Sequence, residues 1–293
     1  MDMSKIKLKR SLMLAALFSA GSNAVSAAID YDAITDGTVR LENGDTVTSS
    51  ASNGINSSTA GSGVQVNGAT KIKVVHTGSE SKGVYLDNGA RNNLGSGTSV
   101  TVENTGGASH LITVGVSVEN KNNIGIGLVA NNLTVTATND THVSGVSSSG
   151  SGNVTIDLGN KSEISATTTG TSSLVRAIDL GTNSTFKINE GTINATRVSN
   201  PNNVSGQTYG INANGKADIQ LGDKTTINAT SDSGSTKGIY LSNLGTGTTV
   251  TANELQINVS GVVVDGISGT GNINLGNGGK IDVKGNDTVR GIE

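Results

Sequence analysis

The stretch T236-K-G-I-Y-L-S-N-L-G-T-G-T-T-V-T251 has a near twin upstream, S81-K-G-V-Y-L-D-N-G-A-R-N-N-L-G-S-G-T-S-V-T101. Both contain Lys-Gly-aliphatic-Tyr-Leu and then, after linkers of different length, Leu-Gly-x-Gly-Thr-x-Val-Thr. A fixed phrase with variable linkers is typical of a solenoid, because strand positions must match between stacked coils while corner loops are free to vary. We therefore interpret the twins as two coils of one solenoid, separated by several others.

The Leu-Gly phrase recurs along the chain as LGxxxx followed by Val, Ile or Phe. Copies begin at Leu94, Leu158, Leu180, Leu221, Leu244 and Leu275, with a looser copy at Leu41. We interpret each copy as a strand that ends at Leu, a turn that Gly permits, and a new strand that starts at the β-branched residue.

A second phrase, Gly followed by Ile or Val, punctuates the same region. It occurs at Gly83, Gly125, Gly145, Gly210, Gly238, Gly266 and Gly291, and Ala177-Ile178 takes its place once. From Gly145 onward the steps, counting Ala177, are 32, 33, 28, 28 and 25 residues. Repeats of this length with short strands and no helical pattern predict a parallel β-helix, in which inward Val and Ile stack from coil to coil. At about 4.8 Å per coil, nine or so coils make a rod roughly 40–50 Å long.

The composition supports this interpretation. The 293 residues include 41 Gly but only one Pro, two Phe, four Tyr and no Trp. The apolar residues are Val, Ile, Leu and Ala interleaved with Thr, Ser and Asn, a mixture that favours strands joined by tight turns. Their periodicity argues against disorder, and the missing aromatic signatures argue against a β-propeller. The core is expected to contain small aliphatic side chains only.

The N-terminus predicts export. Basic residues precede a short apolar run, L12-M-L-A-A-L-F-S-A20, and V25-S-A27 supplies the small residues of a cleavage site. We predict a signal peptide over residues 1–27, cleaved between Ala27 and Ala28; an uncleaved membrane anchor is the alternative. The absence of Cys excludes a disulfide framework and thiolate metal sites and fits export from a bacterium. The formal charge of −3 comes from scattered residues, so no basic patch predicts nucleic-acid binding.

The search for chemistry yields no catalytic, cofactor or metal residue. D232-S-G-S235 is similar to the surroundings of a serine nucleophile, but Ser231 precedes it where that motif has Gly, and we interpret it as a turn. The three His are expected in separate coils: His76, His110 and His142. Four Asp at loosely similar coil positions would form either an outward acidic stripe or ordinary solvated surface, which we favour: Asp157, Asp179, Asp218 and Asp265.

Asn-x-Ser/Thr triplets are frequent, for example Asn194-Ala-Thr196 and Asn228-Ala-Thr230. In a eukaryotic secretory protein they would be glycosylation acceptors. In a bacterial protein we interpret them as a by-product of abundant Asn and Thr.

A signal peptide followed by Gly-Ile and Leu-Gly-x-x-Thr coils, rich in Gly, Thr and Asn and free of Cys, resembles the passenger of a Gram-negative autotransporter (type V secretion). The similarity is to the pertactin-like and AIDA-type adhesin group and spans residues 28–293. It implies a right-handed parallel β-helix secreted through a C-terminal outer-membrane barrel fused to the same polypeptide. The sequence has too few aromatic residues for such a barrel. We therefore expect the passenger to be incomplete at its C-terminus.

The resemblance implies an all-β, non-enzymatic surface or secreted protein that mediates adhesion or self-association through a multivalent rod surface. Its expected partners are host surface molecules or glycans, or identical rods, with the outer membrane contacted only through a barrel that this chain does not contain. Without a translocator the protein would stay periplasmic. The alternatives are a carbohydrate-active β-helix enzyme (a polysaccharide lyase or hydrolase), for which tightly clustered acidic residues across neighbouring coils would argue, and a passive stalk.

Overall fold

The computed structural model describes residues 29–31, 33–35, 38–87, 89–106, 112–121, 124–170, 174–198, 206–242 and 247–293. The predicted signal peptide and its cleavage site between Ala27 and Ala28 lie outside the described residues, as does His110. Within the described part of the chain every regular element is a β-strand, and no helix is long and apolar enough to cross a membrane.

The strands are short and follow one another along the whole described chain. Their bounds are β1 Asp30–Tyr31, β2 Ile34–Thr35, β3 Val39–Glu42, β4 Thr46–Ser49, β5 Asn53–Ser57, β6 Val64–Asn67, β7 Lys71–His76, β8 Glu80–Leu86, β9 Arg91–Ser96, β10 Ser99–Asn104, β11 Ile112–Asn120, β12 Ile126–Asn131, β13 Thr134–Asn139, β14 His142–Gly150, β15 Val154–Asp157, β16 Ser162–Thr168, β17 Leu174–Leu180, β18 Ser184–Ile188, β19 Gly191–Arg197, β20 Gln207–Ala213, β21 Ala217–Leu221, β22 Thr225–Ser231, β23 Ser235–Leu241, β24 Thr249–Ala252, β25 Gln256–Gly261, β26 Val263–Gly269, β27 Asn272–Asn274, β28 Lys280–Gly285 and β29 Val289–Ile292.

Three parallel sheets run along a solenoid. The first sheet joins β1, β4, β7 and every third strand to β28; the second runs from β2 to β29 and the third from β3 to β27 in the same way. Each coil thus adds one strand to each sheet, and each strand pairs in parallel with the equivalent strand of the coils before and after it. The predicted all-β parallel solenoid is confirmed. Its right-handedness stays a prediction.

The core consists of aliphatic columns, because inward residues occupy the same register in successive coils. The longest column in the first sheet contains fully buried Val and Ile side chains: Val47, Ile72, Val100, Val135, Ile164, Ile193, Ile227 and Ile257. Phe186 is a buried aromatic exception in the third sheet. The expectation of small aliphatic side chains only was therefore wrong in detail, although each layer is thin.

Polar side chains also enter the interior where the first sheet turns into the second. Asn104, Asn139, Thr168 and Ser231 end or nearly end their first-sheet strands and are buried. Each side-chain oxygen accepts a hydrogen bond from the backbone N–H two residues later, at 3.1–3.3 Å. This local bond closes the corner and satisfies a backbone donor that the ladder has left. A polar residue at this corner is therefore structural.

A column of glycines bends the second sheet. It contains Gly54, Gly83, Gly115, Gly145, Gly210, Gly238, Gly266 and Gly291, with Ala177 in one coil. The prediction of Gly125 for one coil is wrong: Gly125 precedes β12 of the third sheet, and Gly115 holds the column position.

The glycine column is required by close approach between coils. A Cβ added to Gly238 would lie 2.4 Å from Cγ2 of Ile257 and 2.5 Å from the carbonyl oxygen of Gly266. Residue 238 and Ile239 both face inward, so the alternation of inward and outward side chains is broken at this point. The residues on either side of the break, Lys237 and Tyr240, consequently face outward and approach each other.

The Leu-Gly phrases occupy two different corners, which corrects their interpretation as one repeated turn. Those at Leu94, Leu158, Leu221 and Leu275 connect the third sheet to the first, whereas that at Leu180 connects the second to the third. The copy at Leu244 begins outside the described residues, but its Val250 lies in β24 of the third sheet, while Val100 of the upstream twin lies in β10 of the first. The first halves of the twins therefore occupy equivalent positions, with Gly83 and Gly238 in the same column. Their second halves do not, because the same turn phrase forms a different corner in each twin.

Candidate functional site

The predicted turn at D232-S-G-S235 is the corner between β22 and β23. Ser231 is the buried corner residue described above, and Ser233 is 2% exposed. The Ser233 hydroxyl accepts a hydrogen bond of 2.5 Å from Nη2 of Arg197, whose side chain is buried in the same corner. Burial lowers the pKa of Arg197, and the charge of Asp232 acts in the opposite direction. The phrase thus serves the corner and does not present an exposed nucleophile.

The four Asp do not form one stripe. Asp157 and Asp218 lie on the third sheet, and Asp179 and Asp265 lie on the second. Most of them pair with a basic side chain: Asp179 with Arg176 at 2.7 Å, Asp265 with Lys237 at 3.3 Å, and Asp157 with Lys187 at 3.9 Å. His76 and His142 lie on the first and second sheets. Over the described ranges, no three His, Asp or Glu side chains are placed to share a metal ion.

The outer face of the first sheet carries a nearly uncharged polar array. Strands β13, β16, β19, β22 and β25 present three outward side chains each, in matching register. We call these residues the hydroxyl–amide array: Thr134, Thr136, Thr138, Glu163, Ser165, Thr167, Thr192, Asn194, Thr196, Thr226, Asn228, Thr230, Gln256, Asn258 and Ser260. Glu163 is the one charged member. Repeats of about 4.8 Å along the rod and about 6.7 Å along each strand give this face a regular two-dimensional spacing.

Asparagine side chains bond to one another along this array. Asn194 Nδ2 donates to Ser165 Oγ at 3.2 Å, Asn228 Nδ2 to Asn194 Oδ1 at 2.8 Å, and Asn258 Nδ2 to Asn228 Oδ1 at 2.8 Å. In β19, β22 and β25, the residue after each Asn points inward and the Thr or Ser that follows points outward. Each of these strands therefore contains an Asn-x-Thr or Asn-x-Ser triplet. These three triplets thus coincide with the strand alternation of the array.

The second sheet forms a groove on its outer face. We define the second-sheet groove by two outward residues in each coil. One immediately precedes the glycine position, the other lies two residues after it, and the two side chains face each other across the bend. Lys82 Nζ lies 4.2 Å from the centre of the Tyr85 ring, and Lys237 Nζ lies 4.5 Å from that of Tyr240. These are the Lys and Tyr of the twin phrases, and both pairs are cation–π contacts. In β17 the same two positions hold Arg176 and Asp179, which form an ion pair.

At the N-terminal part of the groove, one carboxylate has four partners, of which the Ser117 hydroxyl is the most distant at 3.4 Å. Glu119 accepts from Lys82 Nζ at 3.1 Å and from the Tyr85 hydroxyl at 3.2 Å, and pairs with Lys121 Nζ at 2.8 Å. Burial acts to raise the pKa of Glu119, but the hydrogen bond from Lys121 and the charge and hydrogen bond of Lys82 outweigh it, so the pKa is lowered. Glu119 is therefore held as an anion, the opposite of what a general acid requires.

At the C-terminal part, two tyrosines stack. The rings of Tyr209 and Tyr240 lie 5.3 Å apart with an interplanar angle of 17°. The pKa of Tyr209 is raised to about 12, chiefly by burial and to a smaller extent by electrostatic interaction with Tyr240. The charge of Arg176 acts in the opposite direction. Lys237 reaches from Tyr240 to Asp265 and also donates to Ser268 Oγ at 3.0 Å. The polar and aromatic side chains at this end of the groove thus contact one another.

The groove is interrupted by a dip between these two parts. In β11 and β14, the two groove positions hold Val114 with Ser117 and Ser144 with Ser147, which are small. They leave a cavity of about 220 Å³, with Lys82 and Glu119 on one side and Arg176 and Asp179 on the other. We call it the serine-floored dip. The dip was not predicted from the sequence, because small residues carry no motif; the register of the glycine column is the signal that locates it.

Comparison of the chain with protein-family models, with curated proteins and with solved structures gives no match.

Proposed function

We propose that this chain is an exported bacterial surface or secreted passenger whose rod mediates adhesion or self-association through many weak polar contacts. The proposal combines the N-terminal signal, the Cys-free sequence and the resemblance to autotransporter passengers with the parallel solenoid. The observation that carries it is the hydroxyl–amide array, which repeats hydrogen-bonding side chains over five adjacent strands with one charge among them.

The physical reason is multivalency. A single exposed hydrogen bond contributes little, since it replaces bonds to water. An array repeated at fixed spacing lets a second contact form at high effective concentration once a first has formed, so weak contacts add up to stable attachment. The partners proposed are host surface molecules or glycans, or identical rods. Nucleic acid is not among the proposed partners, because the basic residues are scattered along the sequence.

The alternatives are a carbohydrate-active β-helix enzyme and a passive stalk. Separation of the four Asp onto two sheets, and the lowered pKa of Glu119, support a binding role over glycoside hydrolysis, which uses a proton-donating acid. A stalk would need no regular uncharged face.

The test is clumping of beads coated with the protein purified after export from a Gram-negative host, and attachment of these beads to epithelial cells. Thr192 and Thr226 are neighbours in the array, so T192K/T226K places two charges on it. The matched control is T155K/T185K, a neighbouring outward pair on the third sheet. We expect the first variant to lose clumping or attachment and the second to retain it. Wild-type beads that neither clump nor attach would contradict the proposal, as would equal behaviour of the two variants.

A further inference from the structure

The serine-floored dip is open, whereas the coils that flank it carry long side chains in the groove. In β8 the residues before and after the glycine column form a Lys–Tyr contact, and in β17 they form an Arg–Asp pair. In β14 the same two positions are Ser144 and Ser147, whose side chains are too short to meet. The cavity of about 220 Å³ is below the usual size of an enclosed small-molecule site, so it suits one unit of a longer ligand that lies along the groove.

The polar groups around the dip include both fixed donors and fixed acceptors. Lys82 and Arg176 donate, and Glu80, Glu119 and Asp179 accept, so the lining carries a formal charge of −1 with His142 neutral. Nε of Arg176 is buried and has no acceptor within the described part of the chain, although Nη1 of the same guanidinium donates to Asp179 at 2.7 Å. The serine hydroxyls both donate and accept.

One edge of the dip is apolar. Ile112 is 47% exposed and Leu174 is half-buried, and both face outward on the strands that border the cavity. An anionic polymer would be repelled by a lining in which acidic side chains outnumber basic ones. A sugar ring, in contrast, presents hydroxyls that donate and accept on its rim and an apolar C–H face.

We propose that the serine-floored dip binds one ring of a neutral, linear glycan that lies along the second-sheet groove. The ring's hydroxyls would accept from the Arg176 guanidinium and from the serine hydroxyls and donate to Glu119 or Asp179, and its apolar face would lie against Ile112. The inference rests on the proposed function in that it names a ligand class for an adhesive rod. It uses a different sheet from the hydroxyl–amide array.

Calorimetric titration of the purified full chain with neutral hexasaccharides (cello-, chito- and malto-hexaose) and with a hexauronate tests this. We expect at least one neutral probe to bind, and the hexauronate not to bind. Ser147→Tyr copies the tyrosine found at this position in the twin coils, so the fold accommodates it while the dip is filled. It should weaken binding at least tenfold. Asn56→Tyr introduces a tyrosine in the same column outside the dip and should leave affinity unchanged.

Arg176→Lys keeps the charge opposite Asp179 but removes the planar guanidinium with its several donors, and it should also weaken the binding. Absence of binding by every neutral probe, binding of the hexauronate alone, or unchanged affinity in Ser147→Tyr would each overturn the inference. Bead clumping measured on Ser147→Tyr separates the two proposals. Retained clumping with lost glycan binding supports both, and retained clumping with no wild-type glycan binding rejects only the dip.

Discussion

Nδ2 of Asn228 donates a hydrogen bond of 2.8 Å to Oδ1 of Asn194 in the preceding coil, and Asn258 repeats this relationship toward Asn228 in the next. Each amide in the ladder therefore serves as both donor and acceptor. The side chains lie on the outer face of the first sheet and are half-buried. The ladder thus connects coils through side chains in addition to the backbone.

Asn228→Ala removes one bond that Asn228 donates and one that it accepts. We expect the free energy of unfolding to fall by about 1–2 kcal/mol, since each such bond contributes about 0.5–1.5 kcal/mol net. Urea unfolding followed by circular dichroism measures the change. Thr226→Ala, two residues earlier on the same face of the same strand, is the control and should have a smaller effect. Equal losses in both variants would mean that the ladder adds nothing.

Gly238→Ala should destabilise the rod through steric overlap. The added Cβ would lie 2.4 Å from Ile257 and 2.5 Å from a backbone oxygen, so strands of two coils would have to separate, at a cost of about 1–3 kcal/mol. Gly291→Ala is a matched control, because Gly291 occupies the same column and a Cβ there meets no atom within 4 Å. Thermal unfolding of the two variants should differ clearly. A Gly238→Ala protein as stable as Gly291→Ala would refute close packing at the bend.

Glu119→Gln should remove a pH-dependent part of the stability. The folded-state pKa of Glu119 is lowered, so its contribution is complete above the pKa of an unfolded Glu, about 4.3, and is lost as the pH falls through the folded-state pKa. The wild type should be more stable than the variant at pH 7, and the difference should shrink on acidification toward pH 3. Unfolding curves across this range measure it.

Glu163→Gln, a change in an exposed carboxylate of the first sheet, is the control for Glu119→Gln. Its stability should follow that of the wild type at each pH. If the gap between wild type and Glu119→Gln stayed constant with pH, the ion pairs with Lys82 and Lys121 would not be its cause.

Export should remove residues 1–27. Expression of the full chain in a Gram-negative host should give a protein whose intact mass begins at Ala28. Ala27→Leu places a large residue at the cleavage site and should leave the longer chain uncleaved. Ala28→Ser, on the other side of the predicted bond, should still be processed. An intact mass that includes Met1 in the wild type would favour the membrane-anchor alternative.

The sequence predicted the parallel solenoid because the aliphatic residues that stack inward also repeat along the chain, as Ile193, Ile227 and Ile257 do. It failed at Gly125 and in the second halves of the twin phrases, because one turn phrase serves two corners. The groove and the dip were not predicted, since finding them requires the register of the glycine column, which determines the side chains that meet across the bend. Lys237 and Tyr240 are visible as a motif, whereas Ser144 and Ser147 matter only through the space that they leave.

The glycine column also makes the coil an exchangeable unit of length. Gly210 and Gly238 occupy equivalent positions in adjacent coils, so excising residues 211–238 would join Gly210 to Ile239 with every ladder register preserved. The product should be a rod shorter by about 4.8 Å, a change that X-ray scattering would detect. Unequal crossing-over between such copies would lengthen or shorten the protein in whole coils, so its reach is adjustable by recombination without redesign of its core.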